Sequence, residues 1–402
     1  MRVTLDDIQK AQTTIEKLVN YTQCDFSKSL TDLLGSDIFL KLENTQKTGS
    51  FKIRGASNKI TSLTADEKKR GVIACSAGNH AQGVALSSSL NNVKSTIVMP
   101  VNAPIAKIEA TKRYGAEVIM HGSMFDEAKE HAEKLAKEKG YVFVHPYEDE
   151  RVIAGQGTIG LEIFQQIPAL DTVVIPIGGG GLISGISTAI KALNPKIKII
   201  GVQTELVSTM AQMFHTKKFV PLTKPVATLA DGIAVKTPSE TMFHSFIEKN
   251  VDEVVTVTED EIAEAIVFLL ERAKTVAEGS GAVTVAAALS KKLSLGKRTC
   301  LIVSGGNIDL NIVSDIINRG QIQRGRLCEL SVTVPDVPGS LSRLTQVIAE
   351  HKANVLEVHH DRIRHGLNLK ETRIEFVLET TSHEHIKQII AALEKAGAKV
   401  NA

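Results

Sequence analysis

TVVIPIGGGGLISGISTAIKAL (Thr172–Leu193) decides the fold. Thr172–Gly178 is short, apolar and rich in β-branched residues, the pattern of a strand buried on both faces. Leu182–Leu193 then carries apolar residues at helical spacing. Between them stand Gly178, Gly179, Gly180 and Gly181. Four glycines let backbone N–H groups converge with no side chain in the way, and the helix start adds positive potential. The product is an anion cradle suited to a phosphate. No Gly-Lys-Ser/Thr follows, so this is not the loop of a nucleoside triphosphatase.

Working outward, the same alternation of strand and helix recurs. Ile38–Glu43, Gly71–Ser76, Ser95–Pro100, Ala116–Gly122 and Tyr141–Pro146 read as one set of strands. Thr172–Gly178, Ile197–Gln203 and Thr299–Gly306 read as a second. Amphipathic segments such as Asp126–Glu138 and Glu261–Ala273 separate them. This predicts an α/β fold of two lobes with parallel sheets covered by helices. The catalytic region is expected over 1–320, with a small lobe at about 45–150 inserted in the large one. The polar, basic run INRGQIQRGRL (Ile317–Leu327) suggests a linker at 321–328. From 329 to 402 the pattern becomes βαββα, with a last short strand at the end, which reads as a small separate domain.

Composition narrows the function. Among 402 residues, 47 Lys+Arg nearly balance 45 Asp+Glu, and there is no Trp. Neither a nucleic-acid partner nor a membrane surface is expected. The N-terminus has no apolar leader, and no uncharged apolar run reaches the length of a membrane span, so a soluble cytoplasmic protein is expected. Cys24, Cys75, Cys300 and Cys328 are scattered, which argues against a disulfide framework and a zinc site. Cys75 and Cys300 sit in apolar runs as small hydrophobes.

In this fold class, ligands sit beyond the carboxyl ends of strands, so the loops there matter most. Gly155-Gln156-Gly157-Thr158-Ile159-Gly160 matches the dinucleotide spacing, but no strand precedes it. It is expected to be a helix start or a packing loop. In Lys47–Ala56, Lys52 is flanked by Phe51 and Ile53; burial would leave its amine neutral and able to form an imine. Ser76-Ala77-Gly78-Asn79-His80-Ala81-Gln82-Gly83 puts small residues and donors at a helix start, where a carboxylate can be held. His80 is expected to be structural rather than catalytic. Ser304-Gly305-Gly306-Asn307 ends a strand, placing a hydroxyl where a ring nitrogen could meet it.

Together, SFKIRGA, SAGNHAQG, GGGGL and SGGN resemble the fold-type-II pyridoxal-phosphate enzymes, the tryptophan synthase β-subunit superfamily. Within it the chain looks like the threonine dehydratase (threonine ammonia-lyase) group, supported by Leu229–Val235 and Ala277–Ala282. The resemblance implies that Lys52 is the Schiff-base lysine and that Phe51 packs on the ring of pyridoxal 5'-phosphate. It implies that Asn79 bonds the ring oxygen, Ser304 the ring nitrogen, and Gly178–Gly181 with Leu182 the phosphate. Ser76, Ala77 and the Asn79 and His80 amides would hold the substrate carboxylate. The implied reaction is Cα deprotonation by Lys52 and β-elimination from threonine or serine, giving a 2-oxo acid and ammonia. A hydroxyl at Ser304 makes the ring a weaker electron sink than an acid would, which suits prompt elimination.

Two departures sharpen this reading. Related serine racemases carry Ser where Ala77 stands, so racemisation is not expected. Related divalent-cation sites start with an acid where Gln203 stands, and Thr209 replaces a later acid. No such metal site is expected; a monovalent cation stays open. The C-terminal domain resembles an ACT domain, with Asp336 and Gly339 in its ligand loop; the resemblance implies an amino-acid effector and allostery. A purely structural module is the alternative. His359, His360, Asp361, His365, His383 and His385 lack ligand spacing and are not read as a metal site. A homo-oligomer, dimer or tetramer, is expected. Rival readings are a serine racemase or hydroxyaspartate lyase, and a non-catalytic amino-acid sensor. Isoleucine biosynthesis and amino-acid breakdown stay open as roles.

Overall fold

The strand of the opening stretch, Thr172–Pro176, is buried at every residue, as its unbroken apolar run requires. Among the described residues it is the seventh of fourteen strands: β1 (Cys24–Phe26), β2 (Asp37–Leu42), β3 (Val72–Cys75), β4 (Ser95–Met99), β5 (Glu117–Met120), β6 (Val142–Phe143), β7 (Thr172–Pro176), β8 (Lys198–Thr204), β9 (Glu253–Val257), β10 (Arg298–Val303), β11 (Leu327–Pro335), β12 (Asn354–Asp361), β13 (Glu371–Glu379) and β14 (Lys399–Asn401). The computed structural model describes residues 1–224, 226–362 and 368–401. The chain divides into two units, Met1–Ile308 and Asp309–Ala402.

In the first unit, six strands run in the order β1-β2-β10-β7-β8-β9 and four in the order β5-β4-β3-β6. Every pairing is parallel except β1 with β2. The four-stranded sheet falls between β2 and β7 in sequence. The register is anchored by Asp171, whose carboxylate accepts from the Lys297 and Arg298 amides at 2.7 and 3.0 Å. Among the described residues no helix is long and apolar enough to cross a membrane.

The Gly155–Gly160 segment lies inside the helix Glu150–Gln166, not at its start. A Cβ at Gly155 would stand 2.6 Å from the Arg54 carbonyl oxygen, and one at Gly157 would stand 2.7 Å from Ile8 Cδ1. These glycines therefore bring three helices close together, which corrects the loop reading while keeping the packing role. The close approach seals in a cluster that composition did not predict. Arg54 grips Glu43 with Nε and Nη2 at 2.8 Å each, and reaches Glu162 Oε1 at 2.6 Å. Lys41 Nζ meets Glu162 Oε2 at 2.5 Å. All four side chains are buried.

The second unit opens with the helix Leu310–Gln323 and forms an antiparallel sheet ordered β12-β13-β11-β14. Helices Ser340–Glu350 and His383–Lys395 place Leu344, Ile348, Ile389 and Leu393 against Val332, Ile374 and Phe376. Residues 321–328 are not a linker as expected. Gln321–Gln323 finish the helix, Leu327 opens β11, and Thr380 Oγ1 donates to the Gly325 carbonyl at 2.6 Å. The polar run is largely the solvated face of a helix that buries Ile316, and polarity alone cannot separate the two cases.

Candidate active site

Lys52 begins the helix Lys52–Thr61. The loop before it is stitched to the loop after β10. Phe51 N donates to the Ser304 carbonyl at 3.1 Å, and Gly306 N to the Gly49 carbonyl at 2.8 Å. Ser50 and Gly305 form an isolated bridge. The lysine motif and the Ser304 motif, about 250 residues apart in sequence, thus share one small frame.

Lys52 Nζ donates to the Pro146 carbonyl at 3.0 Å and sits 5.2 Å from the Phe51 ring centroid. Burial pushes its ammonium down to about 8, against the opposing pull of Glu278. A neutral amine is thus within reach near neutral pH, as nucleophile or base chemistry requires. Tyr147, next along from that carbonyl, lies against the glycine tract. A Cβ at Gly179 would run into its ring, and one at Gly181 would stand 2.8 Å from its Cβ. Gly180 is left-handed, with φ +98°, and caps the helix Gly181–Leu193. Side chains are excluded from the tract by neighbours on one side, and the backbone amides of Gly181 and Leu182 open a helix.

Asn79 begins the helix Asn79–Leu90, whose N-cap Gly78 supplies no side-chain cap. Its first amides, with Ser76 and Ala77 just before, are therefore free of a capping side chain. Asn79 Nδ2 donates to Glu278 Oε1 at 2.6 Å, and Asn79 Oδ1 accepts from Asn307 Nδ2 at 2.7 Å. Asn307 Nδ2 also donates to the Thr48 carbonyl at 2.7 Å. His80 bonds the Val144 carbonyl through Nε2 at 2.8 Å, and burial with the Lys52 charge lowers it to about 3. Its neutral ring ties the helix to the chain after β6. Ser304 Oγ donates to the Ser280 carbonyl at 3.3 Å.

Lys52, Phe51, Asn79, Ser304 and the glycine tract are thus brought together through shared partners. Gln203 and Thr209 are engaged elsewhere: Gln203 Oε1 accepts from Ala211 N at 2.9 Å, and Thr209 Oγ1 donates to the Val235 carbonyl at 2.8 Å. In the second unit, Asp336 Oδ1 lies 3.4 Å from Arg362 Nε, and Gly339 caps its helix with φ +90°. His383 bonds the Gln323 carbonyl and His385 the His351 carbonyl, so neither joins His359 or His360. His365 lies outside the described residues.

Sequence reasoning missed Glu278, Tyr147 and the role of Asn307. Glu278 lies within Ala277–Ala282, where its signal is an acid set in a run of Ala, Gly and Ser that leads into a buried helix. Burial, then the Asp231 charge, raise its carboxyl to about 7.

The residues present fit a pyridoxal phosphate. They supply a half-buried amine with a lowered pKa, a glycine cradle at a helix start, and hydroxyls of Ser50 and Ser280 that are buried without partners. Comparison with known proteins agrees. Residues 15–305 match the pyridoxal-phosphate dependent enzyme family, and residues 329–398 match the ACT domain. An L-threonine ammonia-lyase of Thermotoga maritima is 50% identical over 99% of both chains. Among solved structures, maize serine racemase superposes with TM-score 0.75 at 35% identity, covering 80% of this chain and 99% of that one. The processed form of threonine deaminase isoform 2 from Solanum lycopersicum superposes with TM-score 0.72 at 36% identity, covering 78% and 90%. By the match over residues 15–305 and the identity along nearly the whole chain, the chain belongs to the pyridoxal-phosphate dependent enzymes and carries a C-terminal ACT domain.

Proposed function

We propose that the protein is a threonine ammonia-lyase that converts L-threonine, and L-serine, to 2-oxobutanoate or pyruvate and ammonia. The observation that carries this reading is the meeting of Lys52, Asn79 and Ser304 in one hydrogen-bonded frame beside a glycine cradle. Near-full-length identity to a named L-threonine ammonia-lyase supports it.

When bound, the cofactor supplies an electron sink for the Cα carbanion. The protein's own groups do the rest. Gly178–Gly181 and the Leu182 amide would hold the phosphate, and Phe51 would pack on the ring. Asn79 would donate to the ring oxygen, and Ser304 would offer the ring nitrogen a hydroxyl in place of an acid. Ser76, Ala77 and the amides of Asn79 and His80 hold the substrate carboxylate. Lys52 Nζ, with its lowered pKa, takes the Cα proton. The uncharged partner at Ser304 would suit prompt departure of the β-hydroxyl.

Ala77 separates this reading from a racemase, because a methyl group cannot carry a proton to the opposite face. L-serine is therefore expected to yield pyruvate with D-serine formed at least roughly tenfold more slowly; comparable rates would reverse the assignment. The ACT domain is read as a sensor in which Asp336 and Gly339 shape an amino-acid site. We read Met1–Ile308 as the catalytic region and the domain over 329–402 of the second unit as the regulatory one, in a cytoplasmic homo-oligomer, dimer or tetramer. Measuring 2-oxo acid from threonine and serine, with and without isoleucine, tests the whole reading. Product from threonine supports it, and none from either substrate overturns it.

A further inference from the structure

We propose that Glu278 is a positioning residue for the pyridoxal ring, closing a hydrogen-bond chain from the Thr48 carbonyl through Asn307 and Asn79 that leaves one Asn79 N–H free for the ring oxygen. The inference rests on the reading above that Asn79 faces that oxygen.

The chain has a direction. The Thr48 carbonyl can only accept, so Asn307 must turn Nδ2 toward it, at 2.7 Å. The second Nδ2 hydrogen then goes to Asn79 Oδ1, also at 2.7 Å. Asn79 is thereby obliged to turn Nδ2 toward Glu278 Oε1, at 2.6 Å. An amide has two N–H groups on that nitrogen, and Glu278 takes one. The other is fixed in space by planarity, with nothing else to rotate it.

The carboxyl is itself held. Glu278 N donates to the Gly305 carbonyl at 3.0 Å. A Cβ at Gly305 would collide with Glu278 Oε1, so glycine at this place in SGGN makes room for the acid. Glu278 is 7% exposed. The charges facing it are Lys52 and Lys107, which attract, and Asp231, which repels; Lys107 and Asp231 pair with each other at 3.0 Å. Glu278 thus answers to the same loops that form the site, and its charge lies within reach of Lys52. A carboxyl raised to about 7 would also let this charge change in the neutral range.

The test uses the full-length holoenzyme and two readouts besides turnover: the cofactor dissociation constant, and the visible absorption band followed against pH. Glu278→Gln keeps an acceptor for Asn79 but removes the charge. Glu278→Ala removes both, and Asn307→Ala breaks the chain from its other end. The alanine variants are expected to weaken cofactor binding about tenfold and to shift the band. Glu278→Gln is expected to bind within about twofold of wild type while losing a titration step near neutrality. A merely structural Glu278 would lower thermal stability and leave band and affinity unmoved; that result in both alanine variants overturns the proposal. If Glu278→Ala does not fold, unchanged band and affinity in Asn307→Ala, with an unchanged titration in Glu278→Gln, overturn it equally. A wild-type protein with no visible band that depends on Lys52 would overturn the underlying reading and this inference together.

Discussion

Arg54 and Lys52 are two residues apart on one helix, and their surroundings differ in kind. Arg54 joins Glu43, Lys41 and Glu162 in a cluster of two cations and two anions, where the guanidinium alone makes four contacts with the two carboxylates. Despite burial, the Arg54 charge and hydrogen bonds hold the Glu43 carboxyl below its usual range. Lys52 has one carbonyl, Glu278 one amide, and nearby hydroxyls of Thr48, Ser50 and Ser280 are buried without partners. There burial outweighs attraction, and both ionisable groups move toward neutrality. The contrast shows how to separate structural from functional buried charge. The structural cluster satisfies itself, whereas the site keeps polar groups in reserve for a ligand.

Substitutions can break or sharpen that contrast. The largest effect is expected at the unsatisfied side. Lys52→Ala should lower threonine turnover by roughly 10³-fold or more, measured as 2-oxobutanoate release, with little change in thermal unfolding of the cofactor-free protein. Arg54→Ala should do the reverse in kind. Leaving two buried carboxylates short of a partner should cost about 3–5 kcal/mol in denaturant unfolding. A loss under about 1 kcal/mol would show that the cluster is not the self-sufficient unit described.

The next effect is a pH dependence. Glu278 has a folded value of about 7, above its ordinary 4.5. Its folded state therefore binds more protons between these values, so the stabilisation is complete below the lower one and is lost as pH rises through the upper. Relative to Glu278→Gln, the cofactor-free wild type should lose roughly 3 kcal/mol across that window. Parallel stability curves would contradict the assignment of an under-compensated acid. The smallest effect is expected at the cradle. Gly179→Ala would press on the Tyr147 ring, at a cost of about 1–3 kcal/mol in unfolding, with weaker cofactor binding.

The parts of this molecule that were legible in the sequence are those with local signatures. Val173–Pro176 announces a buried strand, and Gly178–Gly181 announces a cradle, because neither pattern has a cheaper explanation. The ACT boundary near Glu329 also follows from a change of period. Pairings across sequence were not legible. Nothing in Glu43, Arg54 or Glu162 alone says that they meet, because a charged residue in an amphipathic segment reads as solvated. The Gly155–Gly160 run was ambiguous for the same reason: only the approach of Arg54 and Ile8 shows what those glycines make room for. Glu278 escaped notice because its partner Asn79 is 199 positions away. The expected linker failed because a helix face and a linker share one composition.

The direct test of the account is where the cofactor attaches. Two lysines of the catalytic unit compete for this role: Lys41, buried and paired with Glu162, and Lys52, half-buried and held by one carbonyl. Borohydride reduction of the holoenzyme followed by peptide mass spectrometry fixes the cofactor to its lysine. The account predicts the added mass on the peptide containing Lys52 and none on Lys41. Modification at Lys41 or another lysine, with Lys52 unmodified, would contradict it.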